Sequence, residues 1–239
     1  MDLELSLKKY FENYKLAFSY SILFIFLLFV IDPFISIFGG ALNISYTLVN
    51  AFFVDIIILL FTTFIFMFIY SLIQSVLIYK IGKDYNFSET VPFRKIKNYF
   101  YKLLKFNFSF FILIFLISTI LYDLNLLNNI IVQVIFLLIA IFLWFVPQII
   151  ILENETISKS ILLSIKYFKR NWFHFITLFV CAFILILITN LLDVLIPGVA
   201  GIIISTGFLI IFVIPYIEIL KTEIYLNKYN LLKPRHQLK

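Results

Sequence analysis

Six long apolar runs constrain the fold of this chain more than any other feature of its sequence. A hydrocarbon core about 30 Å thick is spanned by about 20 helical residues rising 1.5 Å each. The runs therefore predict six transmembrane helices, at about residues 18–38, 48–79, 106–122, 130–151, 173–192 and 202–220. The second run is the longest, so its helix must tilt or extend beyond the bilayer.

The composition excludes an ordinary soluble domain. Of the 239 residues, 63% are hydrophobic and 13% are charged, whereas soluble domains average about 45–50% and 25%. The segments between the runs leave no room for a soluble domain. Residues 1–239 are therefore predicted to form a single all-α, polytopic membrane domain.

A basic amphipathic stretch precedes the first, third and fifth runs. In the third stretch, Ile157, Ile161, Ile165, Phe168 and Trp172 lie within an arc of about 80° when a helix advances by 100° per residue, and its cations lie opposite. Such helices are expected to lie along the cytoplasmic membrane surface with their cations at lipid head groups. The predicted lipid-surface residues are Arg94, Lys95, Lys102, Lys159, Lys166, Lys169 and Arg170.

The distribution of basic residues predicts the orientation. All 19 Lys and Arg residues fall in the N-terminal segment, the 80–105 and 152–172 connections, and the tail after residue 220. The alternate connections contain none, so the positive-inside rule places both termini in the cytoplasm, with the protein in the inner or plasma membrane. Because the cations flank apolar runs, the net charge of +6 favours anionic lipid, and not nucleic acid, as the partner.

Short motifs around the fourth and fifth runs resemble those of a known group. Pro147, Leu152-Glu153, Ser164 and Lys169-Arg170-Asn171 fall as they do in a broad group of mostly uncharacterised six-helix prokaryotic membrane proteins. That group includes the membrane domain found beside glycerophosphodiester phosphodiesterases. The resemblance implies a six-crossing membrane domain without established chemistry, since catalysis in those phosphodiesterases belongs to a separate soluble domain.

Three residues within the apolar runs are candidates for an intramembrane function. Asp55 lies in the second run, and no cation lies in any predicted run to pair with it; it is either a buried acid on an ion path or an interfacial carboxylate. Pro147 and Pro215 either create the broken helices that transporters use or kink passive helices. Thr62, Gln74, Gln133 and Asn190 are predicted to form interhelical hydrogen bonds.

Two similar segments, Pro147–Glu155 and Pro215–Glu223, are identical at five of nine positions, and both internal duplication and chance resemblance stay open. Their carboxylates Glu153, Glu155, Glu218 and Glu223 either bind a divalent ion or, for the first pair, compensate a helix dipole. No catalytic motif occurs, so we predict neither enzymatic activity nor a cofactor.

The sequence favours a non-enzymatic membrane module that binds lipid or partner proteins. A small permease or permease subunit is the alternative, based on Pro147, Pro215 and Asp55. A lipid-processing enzyme is third, because candidate catalytic residues are lacking. A polar, water-filled cavity at the membrane midplane would favour the permease, and a bundle packed solidly with Phe, Leu and Ile would favour the module.

Overall fold

The computed structural model describes residues 3–29, 53–82, 93–124, 130–196 and 198–232, which form helices joined by short turns, with no strand among them. The N-terminal part comprises α1 (Leu3–Glu12), α2 (Tyr14–Phe18), α3 (Ser21–Phe29), α4 (Phe53–Gly82) and α5 (Phe93–Asp123). The remainder comprises α6 (Ile130–Leu143), α7 (Val146–Leu152), α8 (Ile157–Arg170), α9 (Trp172–Leu195), α10 (Val199–Phe208), a π-helical turn (Leu209–Val213) and α11 (Ile214–Leu232).

Five segments of the described chain are long and apolar enough to cross a membrane. They are Leu60–Gly82, Ile96–Leu121, Ile131–Leu152, Trp172–Leu195 and Ala200–Leu226, which overlap the second to sixth predicted runs. Within the first predicted run, Tyr14–Phe26 forms a shorter apolar helix, and residues 30–38 lie outside the described residues. The chain thus has the all-helical, apolar character of a membrane protein.

The second amphipathic stretch does not form a separate helix. Residues 93–105 are the first turns of α5, a continuous helix of 31 residues. No proline or glycine interrupts α5, so nothing in the sequence ends the helix before the apolar run begins. Its apolar arc is buried against the protein through Ile96, Phe100 and Leu103, and not turned toward lipid as predicted.

Pro147 and Pro215 each follow an irregular turn in a helical segment. Between α6 and α7 the chain makes a turn at Trp144 and Phe145, and Pro147 lies in the first turn of α7. Between α10 and α11 the backbone adopts the π-helical turn, and Pro215 is the second residue of α11. Proline has no N–H to continue a helix, but it is tolerated in a first helical turn. Both interruptions lie within continuous apolar segments, Ile131–Leu152 and Ala200–Leu226, so whether these prolines make transporter-type broken helices or kink passive ones stays open.

The short helix α7 occupies the centre of the packed region. Its residues 146–151 are all buried. On one side Ile149 belongs to the larger apolar cluster, which also contains Leu77 and Ile219. On the other side Val146 and Ile150 belong to a second cluster built from α4 and α5. A helix buried around its whole circumference must be apolar on every side, which explains the sequence of α7.

The outer helices expose large apolar side chains. On α6 they include Val134 and Leu138, and on α9 Phe183 and Leu191. Soluble monomers rarely expose continuous apolar surfaces of this kind. Hydrocarbon is the solvent that such a surface fits.

Candidate functional site

Helix α8 is docked to the bundle by one edge. The edge consists of Ser160, Ser164 and Tyr167, which are buried. The Ser164 hydroxyl donates to the Phe142 carbonyl at 2.6 Å, and the Tyr167 hydroxyl donates to the Ile224 carbonyl at 3.4 Å. Burial raises the pKa of Tyr167 to about 12. The isoleucines of the predicted apolar arc are only half-buried. The small polar residues Ser160 and Ser164, and not this arc, are buried against the bundle.

The cations of α8 point away from the docked edge. Lys166, Lys169 and Arg170 are exposed. Within the described residues, none of the three is in an ion pair with a carboxylate. Trp172 and Phe173, which follow directly, are 59% and 67% exposed. Exposed aromatic rings beside cations are typical of segments at a membrane interface.

The other predicted lipid-surface cations differ among themselves. Arg94 is exposed, and the side chain of Lys95 lies outside the described side chains. Lys159 is in an exposed ion pair with Glu155, at 2.6 Å. These cations therefore do not form one uniform surface with those of α8.

Lys102 holds the turn between α7 and α8. Its ammonium donates to the Asn154 carbonyl at 3.2 Å, the Asn154 Oδ1 at 3.0 Å and the Glu155 carbonyl at 3.3 Å. Asn154 has a positive φ of 57°, a conformation that Asn tolerates better than most residues. The prediction of Lys102 as a lipid-surface residue is therefore incomplete, since its ammonium is engaged with backbone groups.

The four carboxylates proposed as a divalent-ion site do not converge. Glu153 accepts a hydrogen bond from the Tyr225 hydroxyl, and Glu155 pairs with Lys159. Glu223 pairs with Lys9 at 2.6 Å. Among the described residues, no group of three or more His, Cys, Asp or Glu side chains is placed to hold a metal ion.

A buried polar cluster lies where the two helix breaks meet. Its centre is Glu218 of α11, which is 5% exposed. The Glu218 Oε1 accepts from the Lys221 ammonium at 2.6 Å, and its Oε2 accepts from the Gln148 Nε2 at 2.9 Å. Lys221 is 3% exposed and Gln148 is fully buried. The spacing of three residues on α11 brings the cation and the carboxylate onto one helix face.

Two tyrosines complete this cluster. Tyr70, on α4, lies close enough to Glu218 to interact with its carboxylate. Tyr20 lies between α2 and α3, is fully buried, and packs its ring edge-to-face against Tyr70 with centroids 6.2 Å apart. It is close enough to Glu218 and Tyr70 to interact with them electrostatically. We define the buried polar cluster as Tyr20, Tyr70, Gln148, Glu218 and Lys221.

Two polar atoms of the cluster have no hydrogen-bond partner among the described protein atoms. They are the Tyr20 hydroxyl and the Gln148 Oε1. Leaving a buried polar atom unsatisfied costs about 1–3 kcal/mol. The cluster therefore contains a hydroxyl and an amide oxygen without partners among the described protein atoms, together with the Glu218–Lys221 ion pair.

The presence of Lys221 corrects the expectation that no membrane segment contains a cation. The sixth run was predicted to end at residue 220, but the apolar segment of the structure continues to Leu226 and Lys221 is buried within it. Glu218 and Lys221 carry opposite charges on neighbouring turns and balance each other, which is how buried ions are accommodated. Asp55 lies near the start of α4, and its side chain is outside the described side chains.

The two similar segments contact each other directly. Gln148, beside Pro147, donates to Glu218, which follows Pro215 by three residues, and Tyr225 donates to Glu153.

Each break also receives a side-chain donor from an amphipathic helix. Tyr10 of α1 donates to the Ile211 carbonyl at 3.0 Å, four residues before Pro215, and burial raises its pKa. Internal duplication stays a prediction.

The other predicted polar residues divide into two groups. Gln74 accepts from Asn107 Nδ2 at 3.3 Å, so its role between α4 and α5 is confirmed, and Asn107 also donates to Ser71 at 2.9 Å. Gln133 and Asn190 are exposed. They therefore face outward from the bundle, and not toward another helix of the chain.

Sequence reasoning missed Tyr20, Tyr70 and Lys221 as members of a site. Tyrosines are abundant in this chain, with 14 in total, so their identity gave no signal. The signal in the sequence was the spacing of three residues between Glu218 and Lys221, which places them on one helix face. No protein-family model, no curated protein and no solved structure matches this chain.

Proposed function

We propose that this chain is a non-enzymatic module of the inner or plasma membrane that binds anionic lipid through α8. The single observation that carries the proposal is the arrangement of this helix. One edge is docked on the bundle, while Lys166, Lys169 and Arg170 are exposed beside Trp172 and Phe173. A cation near an anionic surface contributes about 1 kcal/mol.

The proposed topology has six crossings and both termini in the cytoplasm. It is supported by the five apolar segments, by the short apolar helix at Tyr14–Phe26, and by the confinement of all basic residues to alternate connections. The resemblance to the membrane domain found beside glycerophosphodiester phosphodiesterases agrees with this topology and remains an expectation. In a Cys181→Ser background, single cysteines at Ser45 and Gly198 should label from outside, and one at Asn154 only after permeabilisation.

The lipid proposal is tested on the full chain by two matched substitutions in α8. Lys166→Gln removes an exposed cation with no described ion-pair partner, whereas Lys159→Gln removes one that is already paired with Glu155. We expect Lys166→Gln to weaken retention of anionic lipid about fivefold, as one surface charge allows. Lys159→Gln should leave retention nearly unchanged. Native mass spectrometry in mixed anionic and zwitterionic nanodiscs measures both.

Equal retention by the wild type and by a Lys166→Gln, Lys169→Gln, Arg170→Gln variant would refute lipid binding through α8. Loss of retention that is also seen for zwitterionic lipid would point to a folding defect. Thermal unfolding of the same samples identifies that case.

A small permease is the second candidate, and the helix breaks at Pro147 and Pro215 favour it. Broken helices that meet at a buried polar cluster are a common arrangement in transporters. Asp55→Asn offers a test, because Asn preserves the shape of the side chain but cannot release a proton. A folded Asp55→Asn protein that has lost proton-linked flux would favour the permease, and unchanged behaviour would favour the lipid-binding module.

A further inference from the structure

We infer that α1 and α2 insert an apolar stripe into the acyl chains of one membrane leaflet. The stripe consists of Leu7, Phe11, Tyr14 and Phe18, which are 39%, 61%, 56% and 62% exposed. The inference goes beyond the anionic lipid proposed for α8, because this second contact depends on apolar surface and not on charge.

The four side chains share one face of a nearly continuous helix. Backbone hydrogen bonds continue through both of its junctions, from the Asn13 N–H to the Lys9 carbonyl at 3.0 Å and from the Tyr20 N–H to the Ala17 carbonyl at 3.1 Å. At 100° per residue the stripe covers an arc of only about 60°. The exposed Ile25 of α3 continues the stripe within the first predicted apolar run.

One flank of this helix is docked on the bundle. Tyr10 and Ala17 are buried there. The Tyr10 hydroxyl donates to the Ile211 carbonyl at 3.0 Å, and the Lys9 ammonium pairs with Glu223 at 2.6 Å. These contacts fix the rotation of α1 about its axis, so the stripe stays outside the bundle.

Two contacts place the stripe at the level of the membrane. Ile211 lies within the apolar segment Ala200–Leu226, so α1 lies beside a segment that is long and apolar enough to cross a membrane. Glu223, which holds α1, is followed by Ile224, whose carbonyl accepts from Tyr167 of α8. Helices α1 and α8 therefore meet α11 at the same turn. Acyl chains are the neighbours that an exposed apolar stripe finds at this level.

The exposed charges of α1 and α2 favour lipid over a second copy of the chain. Lys8, Glu12 and Lys15 are exposed and lie about 80–140° around the helix from Leu7, on the flank opposite the docked one. At a membrane interface the lysines can extend their ammonium groups to the head groups while the stripe enters the acyl chains. Packing a second copy on the stripe would bury part of this charged flank, which is costly.

The experiment places a fluorescent probe on the stripe of the full-length chain. Phe11→Cys or Glu12→Cys is introduced in a Cys181→Ser background and labelled with bimane. Glu12 is the matched control, because it is also exposed but lies on the charged flank. Vesicles of phosphatidylcholine carry a nitroxide either on the head group or near the top of the acyl chain. Since these vesicles have no net charge, the result does not depend on the anionic lipid proposed for α8.

We expect the acyl-chain nitroxide to quench the Phe11→Cys probe about twofold more strongly than the head-group nitroxide does. The reason is that the apolar face of an interfacial helix lies about 5–10 Å inside the boundary between head groups and acyl chains. For Glu12→Cys the order should be reversed. A higher salt concentration should change neither ratio, because salt screens charges and not apolar burial.

Strong quenching of the Phe11→Cys probe by aqueous iodide, with weak quenching by both nitroxides, would overturn the inference, since the stripe would then face water. Weak quenching by all three agents would also overturn it, because protein would cover the stripe; recovery of nitroxide quenching on dilution with lipid would identify a second copy. Thermal unfolding shows that each labelled protein is folded. Phe18→Cys, on the same stripe, replaces Phe11→Cys if that variant does not fold.

Discussion

The two helix interruptions differ both in backbone geometry, a turn at the first and a π-helical turn at the second, and in the interactions that stabilise them. At the first, before Pro147, the supporting side-chain contacts include the Ser164 hydroxyl on the Phe142 carbonyl and the Tyr225 hydroxyl on Glu153. At the second, around Pro215, two ion pairs join the support: Glu218 with Lys221, and Glu223 with Lys9. The second break should therefore be far more sensitive to removal of a single charge.

The largest effect is expected for Lys221→Met. This substitution leaves the Glu218 carboxylate buried without its cation, which typically costs about 3–5 kcal/mol. Glu218→Gln in the Lys221→Met background should recover most of the loss, because a neutral amide needs no cation. Chemical denaturation in mild detergent measures both proteins. If Lys221→Met were as stable as the wild type, the ion pair would not support this break.

A smaller loss is expected for Glu223→Gln. Its partner Lys9 is on α1, and the two side chains are 8% and 21% exposed, so the pair is partly shielded from water. We expect a loss of about 1–2 kcal/mol and faster proteolysis of α1. Glu155→Gln is the matched control, since Glu155 pairs with the more exposed Lys159 and exposed pairs contribute about 0–1 kcal/mol. Equal effects of the two substitutions would contradict the difference in burial.

The hydroxyl donors at the two breaks allow a direct comparison. Ser164→Ala and Tyr10→Phe each remove a donor to a carbonyl near a break. We expect each to lower the unfolding free energy by about 1 kcal/mol. Thr177→Val is the control, because Thr177 donates to the Phe173 carbonyl within the regular helix α9. A Thr177→Val loss as large as the other two would show that the breaks need no special support.

An effect that is absent at neutral pH is a pH dependence from Tyr167, which packs against Phe145 at the first break with centroids 5.0 Å apart. Its pKa is about 12 in the folded protein, against an ordinary value of 10.0. The unfolded chain therefore loses this proton first, so stability is unaffected below about pH 10 and falls as the pH rises to 12. Alkaline unfolding of the wild type and Tyr167→Phe measures it; an identical pH dependence would exclude this contribution.

The apolar segments were predictable because the thickness of the hydrocarbon core sets their length and its lack of water requires apolar side chains. That the helices depart from regular geometry near Pro147 and Pro215 was also expected, since proline removes a backbone donor, but the sequence left open whether they break or kink. Which edge of α8 docks was not predictable, because Ser160 and Ser164 are polar by composition but small enough to let helices approach closely. For the same reason, the sequence could not assign Tyr20 and Tyr70 to one cluster with Glu218. Their meeting depends on the packing of α2, α3, α4 and α11, which has no periodic signature.

Because α7 is buried on all sides, the chain cannot complete its folding until every helix that covers α7 has been synthesised. One side of this helix is covered by α4 and α5, which precede it in the chain, and another by α11, which follows it. A nascent chain that has been synthesised only to Leu195 lacks the residues that donate to Gln148 and Glu153 or accept from them. Insertion of the first helices therefore produces an open intermediate with uncovered polar groups. Helix α11, which is synthesised later, closes it, so quality control during biogenesis should recognise chains truncated before α11.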